Sequence, residues 1–269
     1  MKLLFALVFA SLAGASLPSA PQVPRPSVVG PDSVYVPILV YHGIFPHHPG
    51  QTPEQIEYDV SPENFEAQMT YLRDSGYRVI SLVSLVDALT KGDTVPAKSV
   101  VITFDDGSEN QYVHAFPILK KFCFTATFFV YPAPIVAGHS GFMSFEQLRE
   151  LQKAGMTIES HTRTHPRLTA IKNVLGVDGF EWQFKGSKTV LEKELGTTVD
   201  IVAFPFGLHN ALSDSVMKAV GYRAARGFPA GGWNSKSTIF ALKAFEITDN
   251  MRSFKTKLTP PPLKAAVKH

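Results

Sequence analysis

Cysteine is almost absent. Cys123 stands alone among 269 residues, so no disulfide can form within the chain and the core must hold the fold. It lies in Lys121-Phe122-Cys123-Phe124 with no polar activator beside it, which predicts a small buried apolar side chain rather than a nucleophile. Charge is also sparse, at 18% Asp, Glu, Lys and Arg, and the net +3 is too small to indicate a nucleic-acid partner. No internal repeat is evident. One long apolar run occurs, residues 3–12 behind Lys2, followed by Ala13, Gly14, Ala15 and Ser16. It is too short for a membrane span and reads as a secretory signal peptide over 1–20, cut after Ala15 or after Ala20. An uncleaved anchor is the alternative; the lack of a nearby cysteine argues against a lipid one. The expected location is therefore secreted, periplasmic or cell-envelope. The mature chain should have no transmembrane span and should be a monomer.

A chain of this length, 45% hydrophobic, can bury one large core as a single domain. Prolines 18, 21, 24, 26, 31 and 37 mark an extended linker over 21–36. The domain is expected over 37–258, with a basic, Pro-rich tail at 259–269. Within it, apolar strand-like runs alternate with helical patterns. Strands are expected at 37–42, 77–80, 100–105, 124–131, 156–160, 200–204 and 222–225. Helix starts are signalled by Ser61-Pro62 and by Ser144 with Gln147 three residues on. The alternation argues a mainly parallel α/β architecture.

Three stretches carry chemistry. Val100-Val101-Ile102-Thr103-Phe104 ends in Asp105-Asp106-Gly107. Successive strand side chains point to opposite faces, so the two carboxylates share a site only if the chain turns, which Gly107 permits. One would then bind a metal and the other move a proton; a helix cap is the plainer alternative. His161-Thr162-Arg163-Thr164-His165 places two imidazoles four apart, and two His with one Asp make an open catalytic metal site. Phe204-Pro205-Phe206-Gly207 ends a strand in a rigid turn. Because Pro205 has no N–H, the first free backbone donor there is Phe206, a candidate oxyanion contact.

In this order and spacing the three stretches resemble the polysaccharide deacetylase family (NodB-homology domain, carbohydrate esterase family 4), over roughly 37–254. The resemblance implies a distorted (β/α)7 barrel that removes N-acetyl or O-acetyl groups from polysaccharide with a divalent cation, Zn2+ first and Co2+ or Ni2+ as alternatives. It implies Asp105 as general base, Asp106, His161 and His165 as metal ligands, and the Phe206 N–H as oxyanion donor. Two departures stand out. Ala203 occupies the place of an Arg that orients the base, so Arg226, or failing it Arg163, is expected to support Asp105. The late strand ending in a catalytic His is missing, while Ile38-Leu39-Val40-Tyr41-His42 supplies one at the opposite end. That arrangement resembles the permuted poly-β-1,6-N-acetylglucosamine deacetylases and implies His42 as general acid. Tyr131, Phe142 and Trp233 are candidate sugar contacts. The expected function is N-deacetylation of an N-acetylglucosamine polymer. The rivals are an O-acetyl esterase and a silent carbohydrate-binding module.

Overall fold

The computed structural model describes residues 29–30, 33–53, 56–171 and 176–261. Seven strands form the frame: β1 (Ile38–Tyr41), β2 (Ser99–Phe104), β3 (Thr127–Val130), β4 (Thr157–Ser160), β5 (Ile201–Ala203), β6 (Ala224–Ala230) and β7 (Leu242–Glu246). Each pairs in parallel with its neighbours in sequence order, and β1 pairs with both β7 and β2, which closes the ring. The N-terminal strand thus sits between the last strand and the second, in register Ile38↔Val101 through Tyr41↔Phe104. The expected strand at 77–80 is Arg78–Val79, which pairs only with the start of β2 and stays outside the ring. This is a (β/α)7 barrel in a single domain.

Strand alternation divides the apolar residues into two clusters. Ile38, Val40, Val101, Phe129, Ile201, Ala203, Ala224, Leu242 and Ala244 form one, the barrel interior. Leu39, Tyr41, Ile102, Phe104, Phe128, Ile158 and Val202 belong to the other, packed under the surrounding helices. Helix α1 (Pro62–Asp74) starts as expected, with the Ser61 hydroxyl accepting from the Asn64 N–H, and buries Phe65, Met69 and Leu72. The Ser144–Gln147 capping box opens the helix Phe145–Lys153. Interior parity continued to the strand ends gives His42, Asp105, His161, Arg226 and Glu246, so one layer of the barrel holds most of the polar candidates.

Three expectations change. Cys123 is exposed, not buried: it ends the helix Phe116–Phe122 in a left-handed conformation (φ 54°), so it caps a helix instead of filling the core. The signal segment and most of the linker lie outside the described residues, but Ser33–Tyr35 is a strand, paired antiparallel with Val29–Gly30 and with Trp233–Asn234. The Tyr35 hydroxyl is shared between the carbonyls of Lys257 (2.9 Å) and Thr259 (3.0 Å) and ties this small sheet to the end of the domain. Trp233 packs edge-on against Tyr35, ring centroids 5.4 Å apart, and so serves that sheet rather than a sugar cleft.

Glu159 is buried on β4, two residues before His161. Its Oε2 accepts the N–H groups of Asp200 (3.1 Å) and Ile201 (2.9 Å), yet burial outweighs these donors and pushes the carboxyl up to about 8 from 4.5. The folded state therefore holds this proton more tightly than the unfolded chain. The stability it contributes is full below about pH 4.5 and is lost as pH rises towards 8. Glu159→Gln keeps the accepting oxygen and cannot ionise. Its melting temperature should hold between about pH 5 and pH 8.5 while that of the wild type falls. Parallel melting curves across that range would remove Glu159 as the cause.

Candidate active site

The two carboxylates converge because the chain turns at Asp106 itself. The Asp105 N–H makes the last rung with β1, donating to the Tyr41 carbonyl at 2.9 Å, and Asp106 then adopts φ 76° and Gly107 φ 72°. Six described non-glycine residues have positive φ, and four of them, Asp106, Thr162, His165 and Phe206, belong to the three motifs. Such conformations persist only where surrounding structure enforces them, and they gather at functional sites.

Asp106, His161 and His165 offer ligand atoms that all lie within 4.8 Å of one another. Asp106 Oδ1 is 3.4 Å from His165 Nε2 and 3.7 Å from His161 Nε2. His161 Nδ1 is 2.8 Å from the Ala203 carbonyl, an acceptor only, so that nitrogen carries the proton and the Nε2 lone pair faces Asp106. Burial pushes His161 down to about 4 against the opposing pull of Asp105 and Asp106. Burial lowers His165 as well, so both imidazoles are neutral donors at pH 7. Asp106 Oδ1 is shut off from solvent without a hydrogen-bond partner. Two neutral imidazoles and an unsatisfied carboxylate oxygen, turned inward together, fit a divalent cation of the Zn2+ kind.

Asp105 is fully buried beside them, with Oδ2 3.7 Å from His161 Nε2. Burial works to raise its carboxyl, but Arg226, with His161 and His42, outweighs burial and holds it below its ordinary value. Arg226 is equally buried and donates to Asp105 Oδ2 from Nη2. The guanidinium expected to support Asp105 thus comes from β6, two residues along the interior face from Ala224. Arg163 points away and lies over Trp182, 4.7 Å from its ring. Ala203 contributes its carbonyl to His161.

His42 closes the opposite wall. Its Nε2 is 3.9 Å from Asp105 Oδ2 and its Nδ1 3.8 Å from Glu246 Oε1. Phe206 occupies the left-handed turn (φ 57°), where the two turn bonds run from Gly207 to Phe204 and from Leu208 to Pro205 and leave the Phe206 N–H out. Its ring, half exposed, packs edge-on against His165 and carries the Arg167 guanidinium at 4.5 Å. A cleft of about 780 Å³ joins His42, Asp105, Asp106, His161, His165 and Phe206, with Arg167 and Glu246, and reaches Phe45, Tyr58 and Phe228. Tyr131 packs against His165 at 5.2 Å and Phe142 against Tyr131 at 5.4 Å, so they back the His161–His165 loop. Glu246, Arg167 and Phe228 were not visible as candidates in the sequence. Glu246 continues the interior phase of Leu242 and Ala244 at the end of β7, as Asp105 continues that of β2, but its segment lacks the apolar run that announces β2.

The polysaccharide deacetylase family profile matches residues 92–225. YxkH of Bacillus subtilis (strain 168), provisionally named a polysaccharide deacetylase, is 29% identical over 216 residues, 80% of this chain and 72% of that one. The poly-β-1,6-N-acetyl-D-glucosamine N-deacetylase of Staphylococcus aureus (strain MRSA252) is 30% identical over 179 residues, 62% of this chain and 60% of that protein. Among solved structures, the Streptococcus pyogenes deacetylase PplD in complex with acetate superposes with a TM-score of 0.75 at 28% identity, covering 84% of this chain and 99% of that one. The polysaccharide deacetylase BC0361 from Bacillus cereus gives 0.72 at 28% identity, covering 84% of this chain and 70% of that one.

Proposed function

The chain belongs to the polysaccharide deacetylase family, and from that premise we propose that it hydrolyses N-acetyl groups on N-acetylglucosamine units of a polysaccharide, with a divalent cation as cofactor. The observation that carries this reading is the convergence of the Asp106, His161 and His165 ligand atoms beside a buried, ionised Asp105. These three residues hold the cation, Zn2+ by donor type. When bound, it supplies Lewis acidity, bringing the pKa of a water towards ~7 and polarising a carbonyl. Asp105 takes the proton of the attacking water, and Arg226 keeps it ionised for that task. The Phe206 N–H donates to the oxygen that becomes negative. His42 gives a proton to the departing amine nitrogen.

His42 is what favours an amide over an ester. An amine leaves poorly unless protonated, whereas an alcohol tolerates a weaker acid. Its place at the end of an N-terminal strand inserted between β7 and β2 supports the permuted arrangement, and the named activity of the Staphylococcus aureus relative supports the poly-N-acetylglucosamine class. The signal-like segment at 1–20 supports action outside the cytoplasm; no described helix is long and apolar enough to cross a membrane. The test is acetate release from N-acetylglucosamine oligomers and from acetylated xylan, with chelator and after Zn2+ is restored. Release from the oligomers should stop with chelator and return with Zn2+. Faster release from xylan would make the protein an O-acetyl esterase, and none from either substrate would make it a binding module.

A further inference from the structure

Gln111 is a fully buried polar side chain on the wall between Asp105 and His42 that the chemistry above leaves unused. It opens a π-helical turn, Gln111–Ala115, which runs straight into the helix Phe116–Phe122. Such turns are rare, and their extra residue re-aims a side chain at functional sites. Gln111 Nε2 donates twice, to the His42 carbonyl at 2.9 Å and to the Asp105 carbonyl at 2.5 Å. These carbonyls stand one step beyond the last β1–β2 pair, Tyr41↔Phe104. The carboxamide therefore takes the next rung of the ladder, where the two strand ends separate. Its orientation is fixed by its partners, since a flipped amide would set its oxygen against two carbonyl oxygens.

The neighbouring residue completes the attachment. Asn110 Oδ1 accepts the Ile44 N–H at 2.7 Å, so the exit of β2 grips the exit of β1 on both sides of Gly43. A Cβ at Gly43 would lie 1.8 Å from Asp59 Oδ1, so a larger residue there would displace the Asp59 carboxylate. The His42 ring, by contrast, has no hydrogen bond of its own. Asp105 and Glu246 stand 3.9 and 3.8 Å away, and Nδ1 is buried without a partner. Ring packing against Tyr58 (5.8 Å) and Phe228 (6.3 Å) and the backbone that carries it are what place it. Gln111 Oε1 is likewise buried and unpartnered, a stability cost that mere packing would not favour.

We infer that Gln111 is a positioning residue that sets the His42 imidazole against the Asp105 carboxylate. The inference rests on the acid and base roles proposed above and adds what fixes their separation. An error of ~1 Å in such a constellation costs on the order of 10²-fold.

The test uses Gln111→Met, close in shape and without donors. It is assayed on N-acetylglucosamine oligomers, whose amine must be protonated to leave, and on 4-nitrophenyl acetate, whose phenolate needs no proton. Amide kcat should fall by at least about 10-fold, with KM within about twofold, ester hydrolysis within about threefold and bound metal unchanged. His42→Ala, run alongside, should show the same split. In that background Gln111→Met should cost less than about threefold more. Equal losses on both substrates, or full amide activity, would overturn the inference and leave His42 as acid. No split in His42→Ala would overturn the acid role and the positioning role with it. If Gln111→Met does not fold, Gln111→Glu carries the comparison: burial keeps that carboxyl protonated with one donor, so a smaller loss confined to the amide is expected.

Discussion

Asp105→Asn should lower acetate release by ~10²–10⁴-fold while the protein still binds one equivalent of divalent cation. The substitution keeps the shape of a side chain that is wholly buried but removes its charge and its capacity to take a proton, so Arg226 is left unpaired and stability should fall as well. The proposed cation-holding atoms belong to Asp106, His161 and His165, so metal content, measured by emission spectroscopy on gel-filtered protein, should stay near that of the wild type. Asp106→Asn should do the reverse and lose the metal first, because Asp106 Oδ1 is the carboxylate oxygen facing both imidazoles. Adjacent acids with opposite phenotypes follow from the turn at Asp106, φ 76°, which brings both carboxylates to one cleft with different neighbours. A wild-type rate in Asp105→Asn removes it as the base. Metal loss equal to that of Asp106→Asn makes it a ligand instead.

The barrel and the convergence of Asp105, Asp106, His161 and His165 were legible because each motif ends an apolar strand, and parallel strands deliver their C-terminal ends to one face. His42 was legible for the same reason, as an imidazole closing a short apolar run. What stayed hidden has physical causes. Strand β7, Leu242-Lys243-Ala244-Phe245-Glu246, is built largely of helix-favouring residues and is a strand only because β6 and β1 pair with its two edges. Glu246 was hidden with it. Gln111 was hidden because a π turn has no period to detect. Cys123 misled because its apolar neighbours suggest a buried position, whereas the helix Phe116–Phe122 needs a left-handed residue there to stop. Local pattern identified what the strands end in. Pairing across the ring decided which of those ends meet.

Arg226 offers the other large effect, because in the proposed mechanism the same ion pair serves stability and catalysis. Both partners are buried, Arg226 fully and Asp105 to within 1%. Removing one member of such a pair leaves an uncompensated buried charge, typically ~3–5 kcal/mol. Arg226→Met should therefore destabilise by about that much in urea melts at pH 7, and its kcat should fall towards the ~10²-fold that a positioned base contributes. With the guanidinium gone, burial acts on Asp105 against only His161 and His42, so the carboxylate is harder to ionise. In the wild type the carboxyl is held below its ordinary value. The pair's stabilisation is therefore complete above the unfolded pKa of ~3.9 and is lost as pH falls through the folded one. Arg226→Met should lack that acid-side loss, because the pair is already broken. The double variant Asp105→Asn/Arg226→Met separates the two roles. With both charges removed it should regain stability to within ~1–2 kcal/mol of the wild type while staying inactive, since replacing a whole buried pair is often neutral. If Arg226→Met alone melts with the wild type, the pair does not hold this part of the barrel together. If the double variant is as unstable as the single one, the loss comes from packing around Arg226, between Phe129 and Phe228, and not from the stranded charge of Asp105.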